Sequence, residues 1–240
     1  MTDQPVIDQP PGNRAVSLDR RTALRIGSAG LALTTIGGLG ALAQRKPPGP
    51  DTVSIDQLMK PGVLPDLAIG KADAPVTIVE YASMTCGHCA NFHNKVYPAL
   101  KERYVDTGKV RFIFREFPLD PLAVAGSMLA RCAGKDKVEN AYAMNSILFA
   151  KQEQWAFVRT NPVPELFKIA QQAGFTQDSF DKCLTDDKLM ADVEGGREAA
   201  SKAFSINATP TFFINGRRFT DRADQIEAFA KAIDPLVPKS

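Results

Sequence analysis

Two cysteines separated by Gly87 and His88 are the residues of this sequence best suited to chemistry. Cys86 and Cys89 lie in the stretch SMTCGHCANFH, where a β-branched run ends and a helical pattern begins. A thiol at the first turn of a helix meets unpaired backbone amides and the positive end of the helix dipole, which favour the thiolate. Two intervening residues also allow a disulfide that is easily reduced. The pair therefore indicates a reversible redox disulfide.

The two sulfurs are expected to have different roles. Cys86 lies nearer to solvent and to the helix N-terminus, so it is predicted to be the nucleophile. Cys89, one turn further, should face the core and resolve the mixed disulfide. His88 lies between them and can stabilise a sulfur anion through its imidazole. The alternative is a structural disulfide or a pair of core cysteines.

A metal site is the rival interpretation from another class of function. His93 follows Cys89 by four residues, so Cys86, Cys89 and His93 could supply three ligands to zinc or copper. No fourth ligand is evident, and the six methionines are scattered. We therefore expect no metal and place His93 on the helix surface or only partly packed, with a metal carrier as the less favoured function.

The hydrophobic pattern predicts the elements that position the cysteines. A buried strand precedes them, a helix kinked at Pro98 carries them, and a second strand follows. A helical block comes next, and a hairpin turning at Asn215-Gly216 leads to a final helix. The predicted strands cover 74–83, 109–117 and the segments TPTFFING and RRFTD, and the predicted helices cover 86–104, 121–133, 137–152, 163–173, 178–184, 187–204 and 222–233.

The first 43 residues have the layout of an export signal. Arg20 and Arg21 precede an uncharged apolar run that ends in Ala-Leu-Ala, and a Pro-rich segment follows. DRRTALR resembles a twin-arginine signal, although Ala23 stands where a large apolar residue is usual, so the general secretory route stays open. A retained membrane anchor and a buried N-terminal helix are the alternatives to cleavage. We expect residues 44–63 to be a linker and N-terminal extension.

The predicted export and the composition limit the partners and the redox compartment that we expect for the protein. The formal net charge of the 240-residue chain is +2, without a basic stripe, so nucleic acid is not expected as a partner. An oxidising compartment allows all four cysteines to pair. With Cys86 and Cys89 joined by proximity, the remaining pairing is Cys132 with Cys183. We predict a structural disulfide there, with two separate buried thiols as the alternative.

The sequence resembles the DsbA-like thiol:disulfide oxidoreductases over residues 64–235. VTIVEYASMTCGHCANFH and ATPTFFING carry the resemblance. It implies an α/β thioredoxin fold, a central mixed sheet flanked by helices, with a helical insertion at about 118–204. The Gly-His dipeptide between the cysteines departs from the Pro-His common among bacterial relatives and is closer to that of protein disulfide isomerase.

The resemblance also assigns roles to residues outside the cysteine motif. Glu80 matches the buried acid beneath the resolving cysteine, where a raised pKa would suit proton exchange with Cys89. Alternatively, its carboxylate reaches water at the strand end. Thr209 and Pro210 match the cis-proline loop that faces the active-site sulfurs and pairs with an extended substrate.

The function that the resemblance implies is the introduction of disulfide bonds into folding exported proteins. The redox disulfide would act without another cofactor, and a quinone-linked membrane partner of the DsbB kind would reoxidise it. We expect a periplasmic monomer, with a retained N-terminal anchor as the alternative to a cleaved signal. Reductase or isomerase work in an envelope pathway such as cytochrome maturation is the alternative.

Overall fold

The computed structural model of the chain describes residues 49–238, so the predicted export signal at 1–43 lies outside the described residues. Five strands form one mixed sheet in the order β1-β3-β2-β4-β5. Helices cover the sheet, and the predicted thioredoxin-like architecture is confirmed. The strands are β1 (Leu67–Ile69), β2 (Val76–Ala82), β3 (Val110–Glu116), β4 (Thr211–Ile214) and β5 (Arg217–Phe219).

The central strand β2 is the element that leads into the cysteine motif. It pairs in parallel with β3 and antiparallel with β4. Its side chains are largely buried on both faces, as expected for a strand of a sheet that is covered on both sides. Ile78, Glu80 and Ala82 lie on one face because side chains alternate along a strand. Ile78 and Ala82 belong to the larger core cluster, so Glu80 lies on that buried face.

The predicted long helix after Cys86 is divided near Pro98. It consists of α2 (Gly87–Lys95), α3 (Tyr97–Leu100) and a π-helical turn at Lys101–Val105. Proline lacks an amide hydrogen and clashes with the carbonyl four residues earlier, so a continuous α-helix is disfavoured here. The predicted kink is therefore confirmed, and α2 remains a short element that presents Cys86 and Cys89 at its N-terminus.

A block of six helices connects β3 to β4. Its first helix is capped by Asp120, whose side chain accepts a hydrogen bond from the amide of Ala123 at 2.8 Å, and Pro121 occupies the first helical position. The helices of the block are α4 (Pro121–Ala133), α5 (Val138–Ala150), α6 (Gln152–Trp155), α7 (Val163–Gln172), α8 (Gln177–Leu184) and α9 (Asp187–Phe204). Most of the block packs with α2 in the larger core cluster, whereas the end of α9 buries Ala200 and Phe204 in the smaller cluster on the other face of the sheet.

The C-terminal hairpin turns at the predicted dipeptide. Asn215 and Gly216 have φ values of 45° and 80°, the left-handed backbone that a tight hairpin turn requires. After β5, the last α-helix, α10 (Ile226–Ile233), packs Phe229 and Ile233 into the core. It begins four residues later than the pattern predicted.

Residues 52–58, which fall in the predicted linker and N-terminal extension, contact the domain. Thr52 forms a β-bridge with Arg217, and the Val53 amide donates to the carbonyl of Gly216 at 2.8 Å. A short helix, α1 (Ile55–Leu58), then buries Leu58 in the smaller core cluster. Across residues 49–238 we find no helix with both the length and the apolar character that a membrane span requires.

Candidate active site

Cys86 occupies the N-cap of α2, at the end of the strand–turn–helix connection. Its sulfur accepts a hydrogen bond from the backbone amide of Cys89 at 3.4 Å. The side chain is 8% exposed, whereas Cys89 has no exposed surface. Both are free thiols in the structure. Of the two cysteines, only Cys86 has any exposed surface.

The surroundings of Cys86 favour its thiolate. Its pKa is lowered from 9.0 to about 5, and the largest contribution comes from the Cys89 side chain, which can donate a hydrogen bond to the sulfur. Burial opposes this effect. The side chain of Thr209 and the backbone amides of Cys89 and His88 lower the pKa further. His88 therefore acts here through its backbone, while its imidazole is on the exposed side of the turn.

Cys89 is in the opposite situation. Burial raises its pKa well above 9.0, and the nearby Cys86 and Glu80 raise it further because a second anion would be close to them. A helix start thus holds one sulfur as an anion and a buried position one turn later holds the other as a thiol. This asymmetry is the pattern expected of a nucleophilic and a resolving cysteine.

Thr209, which precedes Pro210, lies beside the sulfur of Cys86 although 123 residues separate them in sequence. The peptide bond between Thr209 and Pro210 is cis. The sulfur of Cys86 lies 3.3 Å from the carbonyl oxygen of Thr209. The loop before β4 therefore forms one wall of the site.

Glu80 is fully buried beneath α2 and does not reach water. Its Oε2 lies 2.8 Å from Nε2 of His93, and both side chains are almost completely inaccessible. Burial raises the pKa of Glu80, while His93 lowers it and Cys86 raises it. The placement of His93 on the helix surface is wrong. The signal that could have corrected it is the four-residue spacing from Cys89, which puts both side chains on one face of α2.

The same contact bears on the metal interpretation. His93 directs its Nε2 to Glu80, and its ring stacks on Phe149 with centroids 4.4 Å apart. Within the described part of the chain, no three His, Cys, Asp or Glu side chains are grouped so that they could hold a metal ion.

Two supports from the helical block were not anticipated from the sequence. The buried Gln152 amide donates to the carbonyl oxygens of Met84 and Cys86, at 2.8 and 3.1 Å. Thr85 donates to Asp120 at 2.6 Å, which ties the turn before Cys86 to the start of α4. Both contacts join residues far apart in sequence, and no local pattern marks them.

The other cysteine pair lies away from these residues. Cys132, at the end of α4, is joined to Cys183 in α8 by a disulfide with an S–S distance of 2.12 Å and Cα atoms 6.2 Å apart. The Cys183 side chain is buried against α4. The bond connects two helices of the block, and this position suits a structural disulfide.

Five large apolar residues in the segments 84–92 and 117–122 differ in their exposure, and most of them belong to the core. Those that are buried are Met84, Phe92 and Phe117. Leu122 is half-buried, and Leu119 is 48% exposed. Leu119 follows β3 and its amide donates to the Ser83 hydroxyl at 3.3 Å, so the exposed apolar surface lies close to the turn that carries Cys86.

Comparison with known proteins agrees with this arrangement. The thioredoxin family model matches residues 63–235. A protein of Rickettsia bellii (strain RML369-C), named provisionally as a protein-disulfide oxidoreductase, is 33% identical over 176 residues, which are 73% of this chain and 66% of that protein. A relative from Rickettsia prowazekii is 32% identical, over 70% of this chain and 60% of its own length. The chain thus spans less than two thirds of these curated relatives.

The similarity extends to solved structures. The crystal structure of Wolbachia pipientis alpha-DsbA1 superposes with a TM-score of 0.66 at 34% identity, covering 75% of this chain and 94% of that one. BdbD from Bacillus subtilis shares the fold, with a TM-score of 0.65 at 21% identity over 78% of this chain and 98% of its own. The chain therefore belongs to the thioredoxin superfamily, in its DsbA-like group of thiol:disulfide oxidoreductases.

Proposed function

We propose that this protein introduces disulfide bonds into folding exported proteins by exchange through a Cys86–Cys89 disulfide. The observation that carries this function is the contrast between the two sulfurs. Cys86 is a partly accessible helix N-cap whose pKa is lowered to about 5, whereas Cys89 is fully buried with a raised pKa. A substrate sulfur can therefore reach Cys86 but not Cys89.

The reaction proceeds as two thiol–disulfide exchanges. A substrate thiolate attacks the Cys86 sulfur, the Cys86–Cys89 bond breaks, and Cys89 leaves and takes up a proton. A second substrate thiolate then attacks the mixed disulfide and releases Cys86 as a stable thiolate. The substrate dithiol is oxidised and the enzyme disulfide is reduced. Glu80, buried beneath Cys89, is proposed as the group that exchanges the proton.

The stable thiolate supports the oxidising direction. At neutral pH a thiol with a pKa of about 5 is ionised, whereas one at the ordinary value of 9.0 is protonated. This difference stabilises the reduced protein by about 3 kcal/mol relative to an ordinary thiol. For a two-electron couple it makes the pair more oxidising by about 60 mV. No cofactor other than the disulfide is needed.

The substrate site is proposed to lie between Thr209 and the exposed Leu119. Thr209 presents backbone beside Cys86, to which an extended chain can bind. Leu119 offers apolar contact to an unfolded segment. We further propose a periplasmic monomer that a quinone-linked membrane protein of the DsbB kind reoxidises.

Trapping experiments test the assigned roles. The Cys89→Ala variant should accumulate mixed disulfides with exported proteins because nothing resolves them, and the oxidised wild-type protein should form disulfides in a reduced, unfolded substrate. The Cys86→Ala variant is the matched control and should do neither. Equal trapping by both variants would contradict the roles given to the two sulfurs.

The direction of electron flow has its own measurement. Equilibration of the purified protein with reduced and oxidised glutathione gives the potential of the Cys86–Cys89 pair. A potential well above that of thioredoxin, about −270 mV, agrees with a disulfide donor. A thioredoxin-like value would instead assign the protein to reductase work.

A further inference from the structure

His93 is a buried titratable residue that has no assigned role in the two exchange steps. Its Nε2 and the Oε2 of Glu80 are 2.8 Å apart, and Glu80 has no exposed surface. The second carboxyl oxygen, Oε1, is buried and has no hydrogen-bond partner among residues 49–238. One oxygen of the carboxyl group is therefore fixed by His93 while the other is free to exchange a proton.

The position of this pair relates it to the resolving cysteine. Cys89 and His93 lie one turn apart on the same face of α2, and this face packs over the side of β2 that carries Glu80. Glu80 is among the groups that raise the pKa of Cys89, which places the carboxyl group within electrostatic reach of the buried sulfur. The order along the site is thus imidazole, carboxyl group, resolving sulfur.

The imidazole is held in a single orientation by aromatic rings. It stacks on Phe149 of α5, with the ring of Phe114 at 5.7 Å on the sheet side and Tyr97 of α3 at 5.1 Å. These contacts come from three elements besides α2, so the ring cannot turn without disturbing the core. Its hydrogen bond to Glu80 is therefore preorganised.

We propose that His93 is a positioning residue that orients the Glu80 carboxyl group and provides a second site for the proton that Glu80 exchanges with Cys89. The inference rests on the proposed function of the Cys86–Cys89 pair. When Cys89 attacks a mixed disulfide at Cys86, its S–H proton passes to Glu80. The Cys86–Cys89 bond forms and the substrate sulfur leaves as a thiolate. In the reverse step the same proton returns to Cys89.

Within residues 49–238, the other ionisable groups close to the pair are two cysteines and two tyrosines. Cys86 and Cys89 face it from α2, Tyr97 from α3 and Tyr142 from α5. Burial raises the pKa of both tyrosines, so both stay neutral at assay pH. The neighbours from β3 and α5 that touch the imidazole are the uncharged rings of Phe114 and Phe149. A pH dependence of the resolving step can therefore be assigned to Glu80 and the two cysteines.

Rapid mixing of the reduced protein with oxidised glutathione separates the two steps. The first phase is attack by Cys86, which forms the mixed disulfide with glutathione. The second phase is the resolution of this mixed disulfide by Cys89. Acid quench, alkylation and intact mass spectrometry measure the amount of each species over time. In His93→Gln an amide nitrogen replaces Nε2 and keeps the hydrogen bond but cannot take a proton. We expect an unchanged first phase and a second phase about tenfold slower at neutral pH.

The pH profile gives the signature of a proton effect. His93 lowers the pKa of Glu80, so its replacement by glutamine raises that pKa, and the carboxylate that must accept the Cys89 proton forms only at higher pH. The rising limb of the second phase should therefore shift to higher pH in His93→Gln. Glu80→Gln should slow the second phase as well. The double variant should be no slower than Glu80→Gln, because His93 acts through Glu80.

Three results would overturn the role of His93. They are an unchanged second phase in His93→Gln, an equal slowing of both phases, and additive slowing in the Glu80→Gln background. Failure of the proposed function looks different. In that case the wild-type first phase is as slow as that of an ordinary thiol, and no disulfide passes to a reduced protein substrate, whatever residue occupies position 93.

Discussion

The backbone amide of Cys89 lies 3.4 Å from the sulfur of Cys86, and the Cys89 thiol makes the largest contribution to lowering the pKa of that same sulfur. One residue thus stabilises the nucleophile through two donors while its own ionisation is suppressed by burial. The two cysteines are therefore better understood as a donor and an acceptor than as equal halves of a disulfide.

Replacing the Cys89 thiol separates its effect from that of the backbone. Cys89→Ala removes the side-chain donor and should raise the pKa of Cys86 from about 5 by about one unit, a tenfold change in ionisation. Cys89→Ser is the matched control, because its hydroxyl still donates, and its pKa should stay near the wild-type value. Ultraviolet absorbance of the thiolate during a pH titration measures both. Identical titrations of the two variants would show that the side chain is irrelevant.

The stability of the reduced protein should depend on pH through Cys86. Its folded pKa, about 5, is below the ordinary 9.0, so its stabilisation is complete above about pH 9 and is lost as the pH falls through 5. At neutral pH the contribution is about 3 kcal/mol. Urea unfolding of reduced wild type and Cys86→Ala should show a gap that widens from pH 5 upward. Glu80 is present in both proteins, so its own titration largely cancels. A gap that is constant with pH would be inconsistent with a stabilised thiolate.

Gln152 should stabilise the turn that carries the nucleophile. Gln152→Leu leaves the buried carbonyl oxygens of Met84 and Cys86 without its two hydrogen bonds. The expected loss in the free energy of unfolding is about 1–3 kcal/mol. Gln172→Leu is the control, because that side chain donates to a carbonyl on an exposed helix surface. Its change should stay within about 0.5 kcal/mol. Denaturant unfolding compares the two, and equal losses would rule out a special role for Gln152.

The Cys132–Cys183 disulfide should contribute to stability but not to exchange. The cysteines are 51 residues apart, so the double variant Cys132→Ala/Cys183→Ala should lose about 3–4 kcal/mol on the loop-entropy estimate. Its reaction with dithiothreitol through Cys86–Cys89 should keep the wild-type rate. Unfolding and stopped-flow measurements on the same preparations test both halves. A strongly changed exchange rate would mean that this bond communicates with the active site.

Much of the fold followed from local patterns. The β-branched run of β2, the helical spacing after Cys86 and the Asn215-Gly216 turn each predicted the element that is present. The three-residue strand β1 was missed, because such a short run shows no alternation. The bridge at Thr52 was missed because it depends on a partner more than 160 residues away.

The residues of the site also fall into two groups, those that local sequence predicts and those that depend on tertiary packing. The position of Cys86 at a helix start follows from its neighbours in sequence, and so does the burial of Cys89. The pairing of Glu80 with His93 depends on how α2 packs over β2, and that packing is set by rings of α3, α5 and β3. Gln152 reaches the active-site turn from a helix 66 residues later in the sequence. Contacts of this kind depend on packing between elements that are distant in sequence, so local sequence patterns do not predict them.

The bridge between Thr52 and Arg217 has a consequence for a protein proposed to handle unfolded chains. Such clients carry unsatisfied backbone groups that add readily to any open strand. Here the outer border of β5 is partly occupied by residues 51–53, and the opposite border, β1, is only three residues long. Both edges of the sheet therefore offer little free backbone for strand addition by an unfolded chain.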